Sequence, residues 1–246
     1  MTEPGSPSAH IEGYRRHVRR LIEEHPYEEA MRLAVGGSWD AAAALEEGAL
    51  RLAGIGPEAD LVDVGCGAGR LAERLRASHR GRYLGTDVVP ELLDHARALA
   101  PGWEFELVES LLIPWPEGSA DAVCFFSVLT HLPHEASYAY LRESVRVLRP
   151  GGLVVVSFLE FEEPEHWTVF EHMVASLETR MHHNQFIHRE DLERWAESVG
   201  LRVERVIGGS EAVIPIEGRH VMDDGRVLEP PSPFIQSLAF LQRPPG

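Results

Sequence analysis

The sequence predicts an α/β fold built on a doubly wound, mostly parallel sheet. Three features predict it. From Ala59 onward, short apolar runs alternate with segments of helical spacing, and that alternation needs right-handed crossovers that cover both faces of a parallel sheet. Asp121–Ser127 and Leu153–Phe158 are almost continuously apolar, as strands buried on both faces should be. The first run, Leu61–Val64, ends in a glycine cluster, Gly65-Cys66-Gly67-Ala68-Gly69, which opens the next helix.

Each element follows from local chemistry. Residues 1–9 are rich in Pro, Gly and Ser with nothing to bury, and read as a disordered tail. Residues 10–55 read as helical: Ile11–Glu24 mixes Arg and Glu on an amphipathic pattern, and Trp39–Ala53 is rich in Ala and Leu. Gly36-Gly37-Ser38 separates the two, with Asp40 as the expected cap of the later helix. After the glycine cluster come a helix over Leu71–Ser78 and a strand over Arg82–Thr86 that ends at Asp87. Pro90–Ala100 is a helix with proline in its first turn, where the missing N–H costs nothing. Trp103–Val108 and Asp121–Ser127 are the third and fourth strands. A helix over Glu135–Leu148 is stopped by Arg149-Pro150-Gly151-Gly152 ahead of the fifth strand. Helices are expected over His166–Arg180 and Arg189–Val199, the second closed by Gly200. Leu201–Ile207 and Ser237–Gln242 are the last strands. Between them Gly208–Pro233 is irregular, and long irregular connections in a tight α/β chain are usually functional covers.

Composition narrows the function. The 246 residues allow one large or two small domains. No apolar run approaches the ~18 residues of a membrane span, and the polar N-terminus shows no secretory h-region. Two cysteines, Cys66 and Cys124, rule out a disulfide framework and make a reducing cytoplasm the expected location. The net charge of -16 repels phosphate backbones and anionic lipid, so neither nucleic acid nor membrane is an expected partner. All 23 basic residues are arginine. Without lysine there is no Schiff base to pyridoxal phosphate and no phosphate loop of the G-x-x-x-x-G-K-[ST] type.

A glycine cluster between a strand and a helix suits a nucleotide, because backbone can approach the ligand and the helix offers free N–H groups. Here the glycines read G-x-G-x-G, and Arg70 stands at the third position of the dinucleotide fingerprint. A bulky side chain there opposes the close packing of a pyrophosphate site, so a ligand without phosphates fits better. Asp87, closing the second strand, can accept hydrogen bonds from both hydroxyls of a ribose. Its other reading is a turn or cap ahead of Pro90.

Leu61-Val62-Asp63-Val64-Gly65-Cys66-Gly67-Ala68-Gly69-Arg70 resembles the first motif of the class I S-adenosylmethionine (SAM) dependent methyltransferases. Tyr83-Leu84-Gly85-Thr86-Asp87 resembles the second. Residues 109–121 resemble the stretch from the adenine contact to the fourth strand, and residues 141–152 the helix and turn before the fifth. The resemblance implies a seven-stranded sheet of order 3-2-1-4-5-7-6 with the last strand antiparallel, an N-terminal helical cap, and SAM as cofactor. It implies that Gly65, Cys66, Gly67 and Gly69 line the methionine part and that Asp87 holds the ribose. Glu109 stands where the family usually has Asp at the adenine amine, and Ser110 and Leu111 flank the ring. Val88 packs either on that ring or in the core. Asp63 and Ser127, on the first and fourth strands, complete the expected cofactor set. A single methyltransferase domain over 1–246 is expected. It divides into a cap at 10–56, a SAM-binding core at 57–158, substrate-covering insertions at 159–188 and 208–233, and the remainder of the core at 189–207 and 234–243.

Methyl transfer from a sulfonium asks the protein mainly to align a nucleophile and exclude water, with a base when the nucleophile is a hydroxyl. His131, after the fourth strand, is the candidate base; its other reading is a packing or capping histidine beside Pro133. His134 is expected in solvent. His182 and His183, in the imidazole-rich run 181–188, are candidate substrate contacts or part of a solvated loop. No spacing there supports zinc, so no metal is expected. Glu160, closing the fifth strand, faces substrate or caps. Gly37 and Trp39 line the cofactor or substrate pocket, or form a helix–helix turn with a buried Trp. Arg70 pairs with acidic groups or approaches the cofactor carboxylate. The expected function is methyl transfer to a small molecule, a secondary metabolite among the candidates, by a cytoplasmic enzyme that can form a homodimer. Two alternatives stay open. A nicotinamide-dependent oxidoreductase is disfavoured by Arg70 and by the lack of any Tyr-x-x-x-Lys pair. A SAM-binding protein without transfer is the other, since cofactor site and chemistry are separable.

Overall fold

The structure, a computed structural model, describes residues 7–177 and 184–246. Its sheet grows from four- to six-residue apolar runs at its centre. β1 (Leu61–Val64) and β2 (Tyr83–Asp87) are buried at every residue. β3 (Glu104–Leu107), β4 (Ala120–Phe125) and β5 (Leu148–Phe158) join them in parallel. β6 (Arg202–Ile207) follows, then a two-stranded hairpin of β7 (His220–Val221) and β8 (Val227–Leu228), then β9 (Ser237–Gln242). The large sheet has order β3-β2-β1-β4-β5-β9-β6. β9 is its seventh strand and runs antiparallel to both neighbours, pairing Phe158 with Ser237 and Ile207 with Leu238. This is the order that the motifs imply.

Side chains leave a strand alternately to its two faces, and β4 shows the result. Ala122, Cys124 and Phe126 enter one apolar cluster, with α3 (Trp39–Leu52), α4 (Arg70–Leu75) and α5 (Pro90–Leu99). Val123 and Phe125 enter the other, with α6 (His134–Val147) and α8 (Arg189–Ser198). Helices on both faces make the sheet doubly wound. A third cluster joins Val18 and Leu21 of α1 (Pro7–Glu24) and Met31 of α2 (Tyr27–Ala34) to Ala68 of the glycine loop and Leu92 of α5. The N-terminal helices therefore sit on the loop that begins the site.

The local readings need five corrections. Residues 7–9 are helical rather than tail, because the amphipathic pattern of α1 runs back to a proline that a first turn tolerates; residues 1–6 lie outside the described residues. His25 and Pro26 end α1 and start a separate α2. Asp40 lies in the first turn of α3, while Ser38 is the N-cap, with φ 47° in the left-handed region. The hairpin β7–β8, inside the segment read as irregular, is too short to leave an alternating pattern. α7 (Pro164–Ala175) closes before the predicted Arg180.

Candidate functional site

The chain leaves β1 in a tight turn. Gly65 N–H and Cys66 N–H both donate to Thr86 O, at 2.7 and 2.9 Å, which ties the loop to the end of β2. Gly65 and Gly67 have φ of 72° and 55°, a region that glycine enters without penalty. Space demands glycine too: a Cβ on Gly65 would lie 2.5 Å from Val128 Cγ2, and one on Gly67 2.6 Å from Val35 Cγ1. Gly69, at φ 89°, meets both demands as well, since its Cβ would lie 2.8 Å from the Cα and Cβ of Ala96. The close helix approach that a dinucleotide site makes one position later is made here, and Arg70 borders the cavity with its charge already engaged. It forms an ion pair with Glu46, which is only 5% exposed, and donates to Val35 O at 3.1 Å.

Asp87 holds the loop from the other side. Its Oδ2 accepts Gly67 N–H at 3.0 Å and its Oδ1 accepts Val89 N–H at 2.9 Å. Burial dominates these bonds and raises its pKa to about 6. Asp63 accepts the Tyr83 hydroxyl at 2.6 Å and the Cys124 thiol at 3.5 Å, and burial lifts its pKa to about 7. Burial also pushes the Cys66 and Cys124 thiols well above their ordinary value, which suits small inert core residues rather than nucleophiles.

These groups border a cavity of about 1070 Å³. Asp63, Gly65, Cys66, Gly67, Asp87, Val88, Glu109, Ser110, Leu111, Ser127 and His131 all line it, so most of the residues singled out in the sequence come together. Tyr14 of α1 and Ala34 and Val35 beside α2 form a further wall. The Tyr14 hydroxyl donates to Ala34 O at 3.0 Å, and its burial raises its pKa. Arg15 donates to Val88 O at 2.8 Å and pairs with Glu109 at 2.6 Å, so α1 is fastened over the end where Glu109 stands. His131 is exposed, on a 3-10 turn at Leu129–His131 that follows β4.

Four of the singled-out residues stand elsewhere. Gly69 packs α4 on α5, as above. Trp39 is 6% exposed in the N-terminal cluster, donates from Nε1 to Glu73 at 2.7 Å and meets His95 edge-on. Gly37 lies against the Asp223 carboxylate. The segment is thus a helix–helix turn with a buried Trp, and neither residue reaches the cavity. Glu160 is fully buried: Arg189 donates to its two oxygens at 2.6 and 2.7 Å, and Ser237 Oγ donates to it as well. Its charge is consumed in tying β5 to α8 and β9, which leaves none for a substrate. His182 and His183 lie outside the described residues.

Three lining residues left no mark in the sequence. Tyr14 is one aromatic on an amphipathic helix, and Gln236 is one amide before a strand. His166 is 2% exposed, accepts Glu160 N–H at Nδ1 and donates from Nε2 to Ile235 O at 2.9 Å, so its role depends on a partner 69 residues away. The His-rich composition pointed at its neighbourhood only.

The arrangement fits SAM. Two glycines whose Cβ positions are taken bring backbone to the cavity wall, and the Asp87 carboxylate, held by backbone N–H groups, borders the same cavity. A family model described as "Methyltransferase domain" matches residues 62–156. The chain is 32% identical to the ubiquinone biosynthesis O-methyltransferase of Xanthomonas euvesicatoria pv. vesicatoria, over 65% of this chain and 67% of that protein. It is 35% identical to the malonyl-[acyl-carrier protein] O-methyltransferase of Serratia marcescens, over 50% and 49%; the chain spans about half the length of such relatives. Among solved structures, magnesium protoporphyrin IX methyltransferase from Synechocystis PCC 6803 with bound SAH shares the fold, with TM-score 0.59, 17% identity and 93% coverage of each chain. Motifs, strand order, cavity and relatives agree: the chain belongs to the class I SAM-dependent methyltransferase family.

Proposed function

We propose that this protein transfers a methyl group from SAM to a small-molecule acceptor, with His131 as the base when the nucleophile is a hydroxyl. The observation that carries this is the continuity of the cavity. Gly65, Gly67, Asp87 and Glu109 border one cavity together with Ser127, His131 and residues of α7, and we read the first set as a cofactor compartment and the second as an acceptor compartment. When bound, SAM supplies an electrophilic methyl on a sulfonium, so no strong protein nucleophile is required. The chain's own tasks are binding and exclusion of water. Asp87 would accept the ribose hydroxyls, the Gly65–Gly67 backbone would follow the methionine part, and Ser110 and Leu111 would flank the adenine. α1, fastened by Tyr14 and Arg15, covers this compartment. His131 belongs to the second set, and its imidazole would take the acceptor's proton.

Residues 10–56 then serve as cap, 57–158 with 189–207 and 234–243 as core, and 159–188 and 208–233 as substrate cover. A small-molecule acceptor is supported by the printed name of the ubiquinone-biosynthesis relative and by the charge of -16, which disfavours nucleic acid. A cytoplasmic location agrees with the free cysteines. No helix among the described residues is long and apolar enough to cross a membrane.

S-adenosylhomocysteine (SAH) should raise the melting temperature, and Asp87→Ala should remove most of that rise; an unshifted midpoint in the unaltered protein overturns the reading. His131→Ala should lower turnover roughly 10²-fold or more while SAH still binds. Full activity in that variant would leave His131 a packing residue.

A further inference from the structure

The second compartment has a built polar corner. β1, β2 and β3 carry the glycine loop, Asp87 and Glu109, whereas Ser127 and Ser157 lie at the ends of β4 and β5 and Gln236 just before the start of the antiparallel β9. There Ser127, Ser157 and Gln236 close a circuit. Ser127 N–H donates to Ser157 Oγ at 2.7 Å, Ser157 Oγ donates to Gln236 Oε1 at 2.7 Å, and Gln236 Nε2 donates to Ser127 Oγ at 3.0 Å. The proton order is forced by burial. Ser157 is fully buried, so its hydroxyl proton needs an acceptor, and Gln236 Oε1 supplies it. The reversed amide would leave that proton stranded in the interior. Nε2 therefore faces Ser127, whose Oγ receives a proton within the circuit rather than giving one.

Two protons are left over: the Ser127 O–H and the second N–H of Gln236. Both residues are half-buried and line the cavity, and neither proton has a partner among the described residues. The frame is held against strain. Ser127 has φ 59° and Ile235, beside Gln236, has φ 83°. A branched side chain rarely adopts such an angle, and it persists only where the surroundings fix it. Here Ile235 N–H donates to Gly209 O at 2.9 Å and Ile235 O accepts His166 Nε2–H at 2.9 Å. The buried His166 thus acts as a positioning residue for Gln236.

We propose that this corner selects acceptor molecules carrying a carbonyl or carboxylate oxygen, which the Ser127 hydroxyl and the outward Gln236 N–H bind together. The inference rests on the methyl-transfer reading above, adds the chemical class of the acceptor, and moves Ser127 from the expected cofactor set to the acceptor side. A molecule with a methylene in place of that oxygen would leave two donors unpaired, and sites built around a hydrogen bond reject such analogues strongly.

The test uses full-length protein, SAM and matched phenols: 2-hydroxyacetophenone against 2-ethylphenol, and salicylate against 2-methylphenol. SAH release reports turnover, and added stabilisation of the SAH complex reports acceptor binding. At least one oxygen-bearing member should exceed its partner by about tenfold or more in kcat/KM or apparent affinity; the ketone and acid arms tell which oxygen is taken. Gln236→Glu keeps an acceptor for Ser157 but captures the Ser127 proton and adds a negative charge, so the preference should vanish while SAH stabilisation stays. Ser127→Gly, which suits the left-handed backbone, should weaken the same preference. Equal handling of both members, a preference unchanged in Gln236→Glu, or no binding or turnover of any oxygen-bearing member beside intact SAH stabilisation overturns the acceptor assignment alone. Loss of SAH stabilisation in the unaltered protein overturns the methyl-transfer reading with it.

Discussion

Each oxygen of Asp87 already accepts one backbone N–H, from Gly67 and from Val89, and the carboxyl is 7% exposed. Its pKa of about 6, against an ordinary 3.8, means that the folded chain holds its proton more firmly than the unfolded chain does. Between about pH 4 and 6, therefore, the ligand-free protein loses stability from this group as pH rises. Asp63, at about 7, contributes in the same direction over a window reaching about pH 7. A ligand that needs the Asp87 carboxylate reverses the preference at that one group. SAH affinity should be constant above about pH 6 and fall by up to about tenfold per unit below it, measured by calorimetry. Asp87→Asn should bind weakly and show no such slope; a slope that persists in this variant assigns it to another group. That Asp87 ends β2 was legible from the sequence, because strand end and glycine loop are local patterns. Its backbone bonds to the loop were not, since they depend on β1 and β2 lying side by side.

The connection after β5 shows the opposite balance. Glu160 ends its strand in the same way as a site residue would, yet Arg189, the first residue of α8, reaches back to it, and Ser237 of β9 adds a third bond. Nothing near Glu160 in the chain announces this, because the partner is 29 residues on. The pair joins three elements. Arg189→Leu should strand a fully buried carboxylate and cost about 3 kcal/mol, less than for a fully buried pair because Arg189 is itself 36% exposed. For a chain of this size that is roughly a 6–12 °C fall in melting temperature. Adding Glu160→Gln should restore part of it, and a lone Arg189→Leu variant that melts normally would remove the pair from the stabilising set. Trp39 teaches the same lesson. An aromatic after two glycines resembles a pocket wall, but its indole N–H finds Glu73 and its ring finds His95, both on helices of the core.

The sheet itself was almost wholly legible, strand by strand, because each buried strand writes its own apolar run between turn residues. The covers were not. Residues 208–233 carry glycine and proline without a period, and what places them is a mutual clasp: Ser38 N–H donates to Asp223 Oδ2 at 2.6 Å, and Asp223 N–H donates to Ser38 Oγ at 3.0 Å, across 185 residues of chain. Arg51 and Glu217 add an ion pair between the same two regions. Such contacts have no signature shorter than the fold. Their consequence concerns traffic. The N-terminal helices beside the glycine loop are buckled to the hairpin loop, so swinging one aside drags at the other. On the methyl-transfer reading, letting the spent cofactor out from under those helices would therefore pull on the hairpin loop as well, and its departure would be tied to motion there.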